Sequence, residues 1–199
     1  RRMFRMERQV DLETFLKGKT ALFLSVSDSD RSQDALVNLF YTQALQYLMA
    51  AADHQPDSRL PIPTRFILDD FSTNTVIPEF DKLISVIRSR EIYVSLIVQS
   101  LSQLEDLYGQ AKAQTIINNC DHCLYLGGTD TQTARYFAEK FNCQLSTVLN
   151  LPLDSAFLFT RGSQPKRVQK YELNRDDIYR SLNRLQRGGQ TNFGTECAM

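Results

Sequence analysis

Short apolar runs alternate with amphipathic patterns along most of this chain. Each run is apolar throughout, and the residues between runs repeat apolar side chains at the spacing of a helical turn. Strands of this kind are buried on both faces. Their order therefore predicts an α/β fold in which helices cover both sides of a parallel sheet. The predicted strands of that sheet are residues 20–27, 65–69, 93–98 and 123–126.

Helices are predicted in the intervals between these strands. The first is expected to have Ser32 as its N-cap and to end near Asp53, because serine is a favoured residue at the start of a helix. A hairpin of residues 156–160 and 168–171 is expected near the end of the chain. The other predicted helices are residues 79–89, 110–118, 130–141 and 175–186.

The length and composition fit a single domain. A chain of 199 residues, 42% of them hydrophobic, can bury one sizeable core. We predict that this domain spans residues 1–186 and that the polar, glycine-bearing segment 187–199 is a flexible tail. The 23 basic residues balance 23 acidic ones, so bulk charge indicates neither nucleic acid nor a membrane as partner. No apolar stretch approaches the roughly 20 residues that span a bilayer, and we expect a soluble, cytoplasmic piece.

Gly18-Lys19-Thr20 repeats the last three residues of a nucleotide-binding P-loop, G-x-x-x-x-G-K-[ST]. The first glycine of the motif is replaced by Glu13, whose carboxylate would face the phosphates. A P-loop also opens a helix, whereas residues 21–26 form an apolar run of the β type. This segment is therefore predicted to be a chance match, and the phosphate cradle is missing from the chain.

Two adjacent carboxylates, Asp69 and Asp70, end the apolar strand that begins at Arg65. Open parallel sheets bind their ligands at the carboxyl ends of the strands. In P-loop motors, the first acid of such a pair helps to hold Mg²⁺ and the second polarises the attacking water. The alternative is that both are polar residues that cap a turn at the strand end.

Gln99 follows the next predicted strand, and it would reach the same sheet edge as a neutral donor able to sense a γ-phosphate or orient water. Arg88 and Arg90 stand at the end of the helix between the two strands. Arginine is expected where phosphoryl charge is stabilised from outside a site. The alternative is a solvated helix end, where cations interact favourably with the helix dipole.

The segments "FILDDFSTNTVIPEFDKLISVIRSREIYVSLIVQSLSQLEDLYG" and "IINNCDHCLYLGGTDTQTARYFAEKF" resemble the C-terminal part of the motor domain of TraG/TraD-type coupling ATPases of conjugative type IV secretion systems. The resemblance covers roughly residues 10–175 and implies a RecA-like P-loop NTPase fold whose P-loop lies upstream. It also implies a homohexameric ring at the cytoplasmic face of the bacterial inner membrane. Such a ring uses ATP and Mg²⁺ to pump single-stranded DNA with its relaxase complex toward components of the secretion channel.

The resemblance assigns roles to five residues. Asp69 matches the Mg²⁺-associated acid, and Asp70 matches a catalytic position that usually holds glutamate, which is one methylene longer. Gln99 matches the family's glutamine, a sensor that contacts the nucleotide. Arg88 falls where some members place an arginine finger that reaches the neighbouring subunit, and Arg90 is the competing candidate. Because the P-loop is absent, the resemblance implies half a nucleotide site, and this chain alone is expected to be inactive.

Two other functions stay open: a fragment of another RecA-like ring DNA translocase, and a nonenzymatic α/β adaptor. The continuity of "RSRE" with "QS-x-SQL" favours the coupling ATPase over another translocase. Cys120 and Cys123 form a C-x-x-C pattern, but without a second pair a zinc site is disfavoured. The C-terminal cations are expected to be solvated charge rather than a DNA or membrane contact. They are Arg161, Lys166, Arg167, Lys170, Arg175, Arg180, Arg184 and Arg187.

Overall fold

The computed structural model describes residues 10–26, 31–71 and 76–188, which form an α/β fold. The strands are β1 (Thr64–Leu68), β2 (Ile92–Leu96), β3 (His122–Tyr125), β4 (Ser155–Thr160) and β5 (Lys166–Gln169). The helices are α1 (Thr14–Lys17), α2 (Asp34–Asp53), α3 (Phe80–Val86), α4 (Leu101–Tyr108), α5 (Gln110–Asn118), α6 (Thr131–Phe141), α7 (Leu145–Leu149) and α8 (Asp177–Gly188). Short 3-10 turns occupy Arg31–Gln33, Ile87–Arg90 and Leu173–Arg175.

Strands β1 and β2 form a parallel pair, with Thr64 opposite Ile92 and Leu68 opposite Leu96. Helix α3 and the 3-10 turn after it connect the two strands, as parallel pairing requires. The predicted α/β class, with a parallel sheet flanked by helices, is therefore confirmed.

The remaining strands form a second sheet. Its order is β3-β4-β5, and both of its pairings are antiparallel, with His122 opposite Thr160 and Ala156 opposite Val168. The predicted late hairpin is thus confirmed. Strand β3 pairs with β4 rather than extending the parallel pair, so the described residues form two sheets where the sequence predicted one.

The larger of two hydrophobic cores lies beneath the parallel pair. Phe71 is at its centre, with its ring 5.1 Å from that of Phe80 and 5.8 Å from that of Tyr108. The Tyr108 hydroxyl accepts a hydrogen bond from Ile77 N at 3.0 Å, and burial raises the pKa of Tyr108 to about 12. Other buried members include Leu45, Leu48, Leu68, Ile92, Leu104 and Ile116.

The second core joins α6 and α7 to the antiparallel sheet. Tyr125 lies 4.7 Å from Phe137, and Phe141 lies 4.8 Å from Phe157, measured between ring centroids. Tyr136 is partly buried and packs against both cores. The two cores are therefore in contact through α6.

The predicted strand at 20–27 is wrong for its described part, because residues 18–26 have no regular structure. Leu22 is 39% and Phe23 is 85% exposed, so the apolar run is not buried. β-propensity depends on burial and on a pairing partner. Apolar sequence without either does not form a strand here.

Two helix starts also differ from the sequence prediction. Helix α2 ends at Asp53 as predicted, but Gln33 is its N-cap, because Ser32 lies inside the preceding 3-10 turn. Helix α4 occupies a segment for which no helix was predicted. Its signal was the Ser100-x-x-Gln103 capping pattern, since Ser100 caps α4 by accepting a hydrogen bond from Gln103 N.

The last predicted helix is present as α8, which runs to Gly188. Most of the predicted tail, residues 189–199, lies outside the described residues, and the division at residue 186 remains a prediction. Within the described part of the chain, no helix is long and apolar enough to span a membrane.

Candidate functional site

Asp69 and Asp70 form a turn directly after β1, at the carboxyl edge of the parallel pair. The main chain is fixed on both sides, since Ile97 N donates to Leu68 O and Phe71 N donates to Ile97 O, each at 3.0 Å. Leu68 is 4% and Phe71 is 1% exposed. Buried residues therefore flank two exposed carboxylates and hold them at the sheet edge.

The Asp70 backbone is left-handed, with φ of 50°. Its N–H donates a hydrogen bond to Asp69 Oδ1 at 3.0 Å. Aspartate is among the non-glycine residues that adopt this conformation most readily. The turn therefore suits aspartate at this position better than a longer side chain.

Gln99 lies beside the acidic turn, at the end of the neighbouring strand. Its Nε2 donates to Asp70 Oδ1 at 3.0 Å. A second amide approaches from α4, where Gln103 Nε2 lies 3.5 Å from Gln99 Oε1. The structure thus brings Asp69, Asp70 and Gln99 together. Gln103 was missed as a neighbour of the site because the helix that presents it was not predicted.

Helix α6 holds the start of α4, and with it the Gln99 segment. Leu101 N donates to Thr133 Oγ1 at 2.9 Å. Asp130 is the N-cap of α6, and its Oδ2 accepts from Thr133 N and from Ser102 Oγ, both at 2.9 Å. The hydrogen bonds from Thr133, first that of its hydroxyl, hold the pKa of the Asp130 carboxyl below its usual value.

Asp130→Ala is expected to lower the free energy of unfolding by about 1 kcal/mol, because it removes the cap of α6. Since the folded-state pKa is lowered, this stabilisation is present above the unfolded-state pKa and is lost as pH falls through the folded-state value. Urea unfolding of this chain should show the full difference from wild type near neutral pH and a smaller one near pH 3. Asp130→Asn retains a capping residue and is the matched control. An equal loss at both pH values would contradict the prediction.

Asp69 is the residue that the sequence analysis assigned to a magnesium ion. Its Oδ1 accepts the Asp70 N–H, while its Oδ2 has no partner among the described residues. Magnesium in phosphoryl-transfer sites is typically bound by one or two carboxylates together with substrate phosphates and waters. The described residues contain no cluster of three or more His, Cys, Asp or Glu side chains that could hold a metal. A single carboxylate fits an ion that arrives with a nucleotide.

Gly18-Lys19-Thr20 follows a helix instead of opening one. Helix α1 ends at Lys17, and Gly18 N donates back to Thr14 O at 3.3 Å. The end of a helix presents carbonyl oxygens and a partial negative charge, which disfavour a phosphate. The prediction that this segment is not a P-loop is confirmed.

Arg88 and Arg90 lie at the opposite end of β2 from Gln99, in the 3-10 turn before the strand. Strand β2 has 5 residues. At about 3.3 Å per residue, that separates the arginines from the acidic turn by roughly 17 Å along the sheet. Neither arginine is therefore placed to contact a ligand held by Asp70 of the same chain.

The two arginines have different surroundings. Arg90 Nε donates to Asp53 Oδ1 at 2.8 Å, and its side chain is only 24% exposed. Arg88 Nη1 donates to Asp121 Oδ2 at 2.7 Å, and its side chain is 69% exposed. Arg90 connects its turn to the end of α2, whereas Arg88 is accessible. No local sequence pattern indicated either acidic partner, because each lies more than 30 positions away.

Cys120 and Cys123 are free thiols. Burial raises the pKa of Cys120 to about 11 and also raises that of Cys123. A thiol with a raised pKa is a poor nucleophile and a poor metal ligand. The sequence interpretation that disfavoured a zinc site stays a prediction.

A protein-family model described as the TraM recognition site of TraD and TraG matches residues 63–144. Residues 63–144 are therefore similar to this part of TraD and TraG. The segment begins next to β1 and ends just after α6, so it contains the acidic turn, Gln99 and both arginines. A search of curated protein sequences finds no significant match.

Solved structures of coupling proteins share the fold of this chain. The bacterial conjugative coupling protein TrwBdeltaN70, unbound, aligns with a TM-score of 0.60 and 17% identity over 70% of this chain and 37% of its own. Plasmid coupling protein TrwB with the GTP analogue GDPNP aligns with a TM-score of 0.56 and 18% identity, over 72% of this chain and 40% of the TrwB chain. TrwB with ADP and Mg²⁺ aligns with a TM-score of 0.57 and 18% identity, over 72% of this chain and 39% of the TrwB chain. This likeness supports the predicted RecA-like class, and the chain spans well under half of each coupling protein.

Proposed function

We propose that this chain is the C-terminal portion of the motor domain of a conjugative coupling ATPase. The proposal is supported chiefly by the 3.0 Å contact between Gln99 Nε2 and Asp70 Oδ1, within the TraG/TraD-type segment. An acid and a neutral amide meet there at the sheet edge where α/β proteins bind nucleotides. The activity is proposed for a longer protein that contains this chain, because TrwB chains are more than twice the aligned length.

Each residue of the site has a proposed role in ATP hydrolysis. Asp69 holds Mg²⁺ together with the nucleotide phosphates, and the ion neutralises charge on the phosphoryl oxygens. Asp70 polarises the attacking water, and Gln99 orients that water or senses the γ-phosphate while its amide fixes the Asp70 carboxylate. TrwB structures with an ATP analogue and with ADP and Mg²⁺ support these ligands for the proposed site.

The proposed biological role is DNA transfer in conjugation. We propose a homohexameric ring at the cytoplasmic face of the bacterial inner membrane that moves single-stranded DNA with its relaxase complex toward the secretion channel. The description of the matching family supports a further partner, a TraM-type protein bound by the surface of residues 63–144.

We expect the longer protein to hydrolyse ATP and the 199-residue chain alone to hydrolyse none, because the chain has no P-loop. Asp69→Ala should abolish turnover in the longer protein, since it removes the Mg²⁺ ligand. Asp57→Ala is the control: Asp57 is an exposed acid in a turn, where it accepts a hydrogen bond from Arg59 N. Phosphate release measured with and without single-stranded DNA checks all four proteins.

Two outcomes would contradict the proposal. Steady ATP turnover by the 199-residue chain, lost in Asp69→Ala, would show that no further phosphate cradle is needed. A longer protein that binds the DNA-processing complex but hydrolyses no ATP would instead indicate the nonenzymatic adaptor.

A further inference from the structure

Asp121 binds two arginines from different parts of the fold. Arg88 Nη1 donates to its Oδ2 at 2.7 Å, and Arg161 Nε lies 3.1 Å from its Oδ1. Oδ1 is buried and receives no aligned hydrogen bond within the described residues, so Arg161 contacts it as a charge. Asp121 precedes β3 and Arg161 follows β4. The start of β3, the end of β4 and the 3-10 turn that contains Arg88 therefore meet at the Asp121 carboxylate.

The backbone fixes both Asp121 and Arg161. Arg161 N donates to Asp121 O at 2.9 Å, which extends the pairing of β3 with β4 by one residue. Arg161 Nη2 also donates to Asn118 O, at the end of α5, at 2.6 Å. This arginine is thus oriented by a strand, by a helix end and by a carboxylate.

The cluster has more positive charge and more donors than it uses. One carboxylate neutralises one guanidinium, so Arg88, Asp121 and Arg161 together carry a net charge of about +1. Each guanidinium has about five N–H donors. Arg88 uses only Nη1, and Arg161 Nη1 has no acceptor, among the described residues. The two side chains are 69% and 57% exposed, so the unused donors are accessible.

Both arginines that pair with Asp121 are more than half exposed. Exposed ion pairs contribute about 0–1 kcal/mol, and the second guanidinium competes for a carboxylate that already has a partner. Two guanidinium groups held side by side are, in contrast, well suited to bind phosphate oxygens by charge-assisted hydrogen bonds.

We infer that Arg88 and Arg161 form a two-arginine phosphate site whose ligand is the terminal phosphate of a nucleotide bound by a neighbouring subunit. Asp121 is the positioning residue that sets the two guanidinium groups beside each other. This inference rests on the proposed ring ATPase and adds Arg161 and Asp121 to it. Because the site lies at the far end of β2 from Asp70, it serves the site of another subunit rather than its own.

A DNA phosphate has the same chemistry as a nucleotide phosphate. Proteins that follow single-stranded DNA use a groove of cations along the backbone, together with aromatic side chains on which bases stack. The cluster here is instead one compact pair of arginines around an acid, which fits a single phosphoryl group. The nucleotide is therefore the ligand we assign.

The test uses ATP hydrolysis by the assembled longer protein. Arg161→Ala should lower kcat by about tenfold or more, lower kcat/KM equally, and leave KM for ATP nearly unchanged, because the contact stabilises the transition state. Arg161→Lys should recover part of the rate, and Asp121→Asn should lower kcat by several-fold at unchanged KM. Arg59→Ala is the matched control, since Arg59 is also 57% exposed and contacts one distant acid, Glu91, at 3.2 Å.

Ring assembly, measured by light scattering, and single-stranded DNA binding are recorded for every variant. Normal turnover in Arg161→Ala, with Asp70→Asn and Arg88→Ala inactive, would overturn the two-arginine site and leave the proposed ATPase intact. Weakened DNA binding with normal basal turnover would also overturn it and assign the site to DNA. A wild-type ring without ATPase activity would overturn both proposals together.

Discussion

Asp70→Asn is expected to lower kcat of the longer, P-loop-containing protein by a factor of about 10² or more, with little change in ATP binding. The amide oxygen of asparagine can still accept the Gln99 Nε2 hydrogen bond, which is 3.0 Å long in wild type. Asparagine also tolerates the left-handed backbone of this turn, where φ is 50°. The substitution therefore keeps the geometry and removes only the charge that polarises water. Turnover and nucleotide affinity, measured separately, check the prediction.

Asp70→Glu is the companion substitution, because glutamate is the residue that TraG/TraD-type proteins usually have at this position. It should keep or raise turnover, since the longer side chain restores the family's reach. It should also cost about 1 kcal/mol in stability, because glutamate is less tolerant of the left-handed backbone. If neither substitution changes turnover, Asp70 is not the carboxylate that polarises the attacking water.

Arg88→Ala is expected to give a protein that binds ATP but hydrolyses it about 10³-fold more slowly, as expected for the loss of an arginine finger. The side chain is 69% exposed and lies at the far end of β2 from Asp70. Its proposed role is therefore at the nucleotide of an adjacent subunit. The substitution removes one exposed ion pair, so stability should change by less than about 1 kcal/mol.

Mixed rings test the action across the subunit boundary. Arg88→Ala combined with a P-loop lysine variant, each inactive alone, should regain partial activity, because some interfaces join an intact P-loop to an intact arginine. Arg90→Ala is the control. It should lower stability more than turnover, since Arg90 is 24% exposed and bound to Asp53. No recovery of activity in rings that exchange subunits would count against action of Arg88 across the subunit boundary. A larger catalytic defect in Arg90→Ala than in Arg88→Ala would assign the arginine finger to Arg90.

The acidic site was predictable from the sequence because parallel strands place their carboxyl ends at one edge. Asp69, Asp70 and Gln99 each follow a short apolar run, and this local pattern is enough to place them together. The left-handed turn at Asp70 was not predictable, because many residue types can end a strand. Gln103 was missed for a different reason, since no helix was predicted for the segment that presents it.

The failures concern contacts between distant parts of the chain. Residues 20–26 have the composition of a strand, but pairing and burial decide whether a strand forms, and a local pattern contains neither. The direction of β3 was equally hidden, because an apolar run has the same pattern in parallel and antiparallel sheets. The acidic partners of Arg88 and Arg90 could not be predicted for the same reason, since they are separated from the arginines by 33 and 37 positions.

Tyr136 connects the two hydrophobic cores of the fold. Its ring packs against both hydrophobic cores, and its hydroxyl accepts a hydrogen bond from Lys140 Nζ at 2.8 Å. One turn earlier on the same helix, Thr133 holds the start of α4 next to Gln99. Helix α6 therefore connects the Gln99 segment to the antiparallel sheet. A displacement of the Gln99 segment is therefore expected to reach the antiparallel sheet through α6.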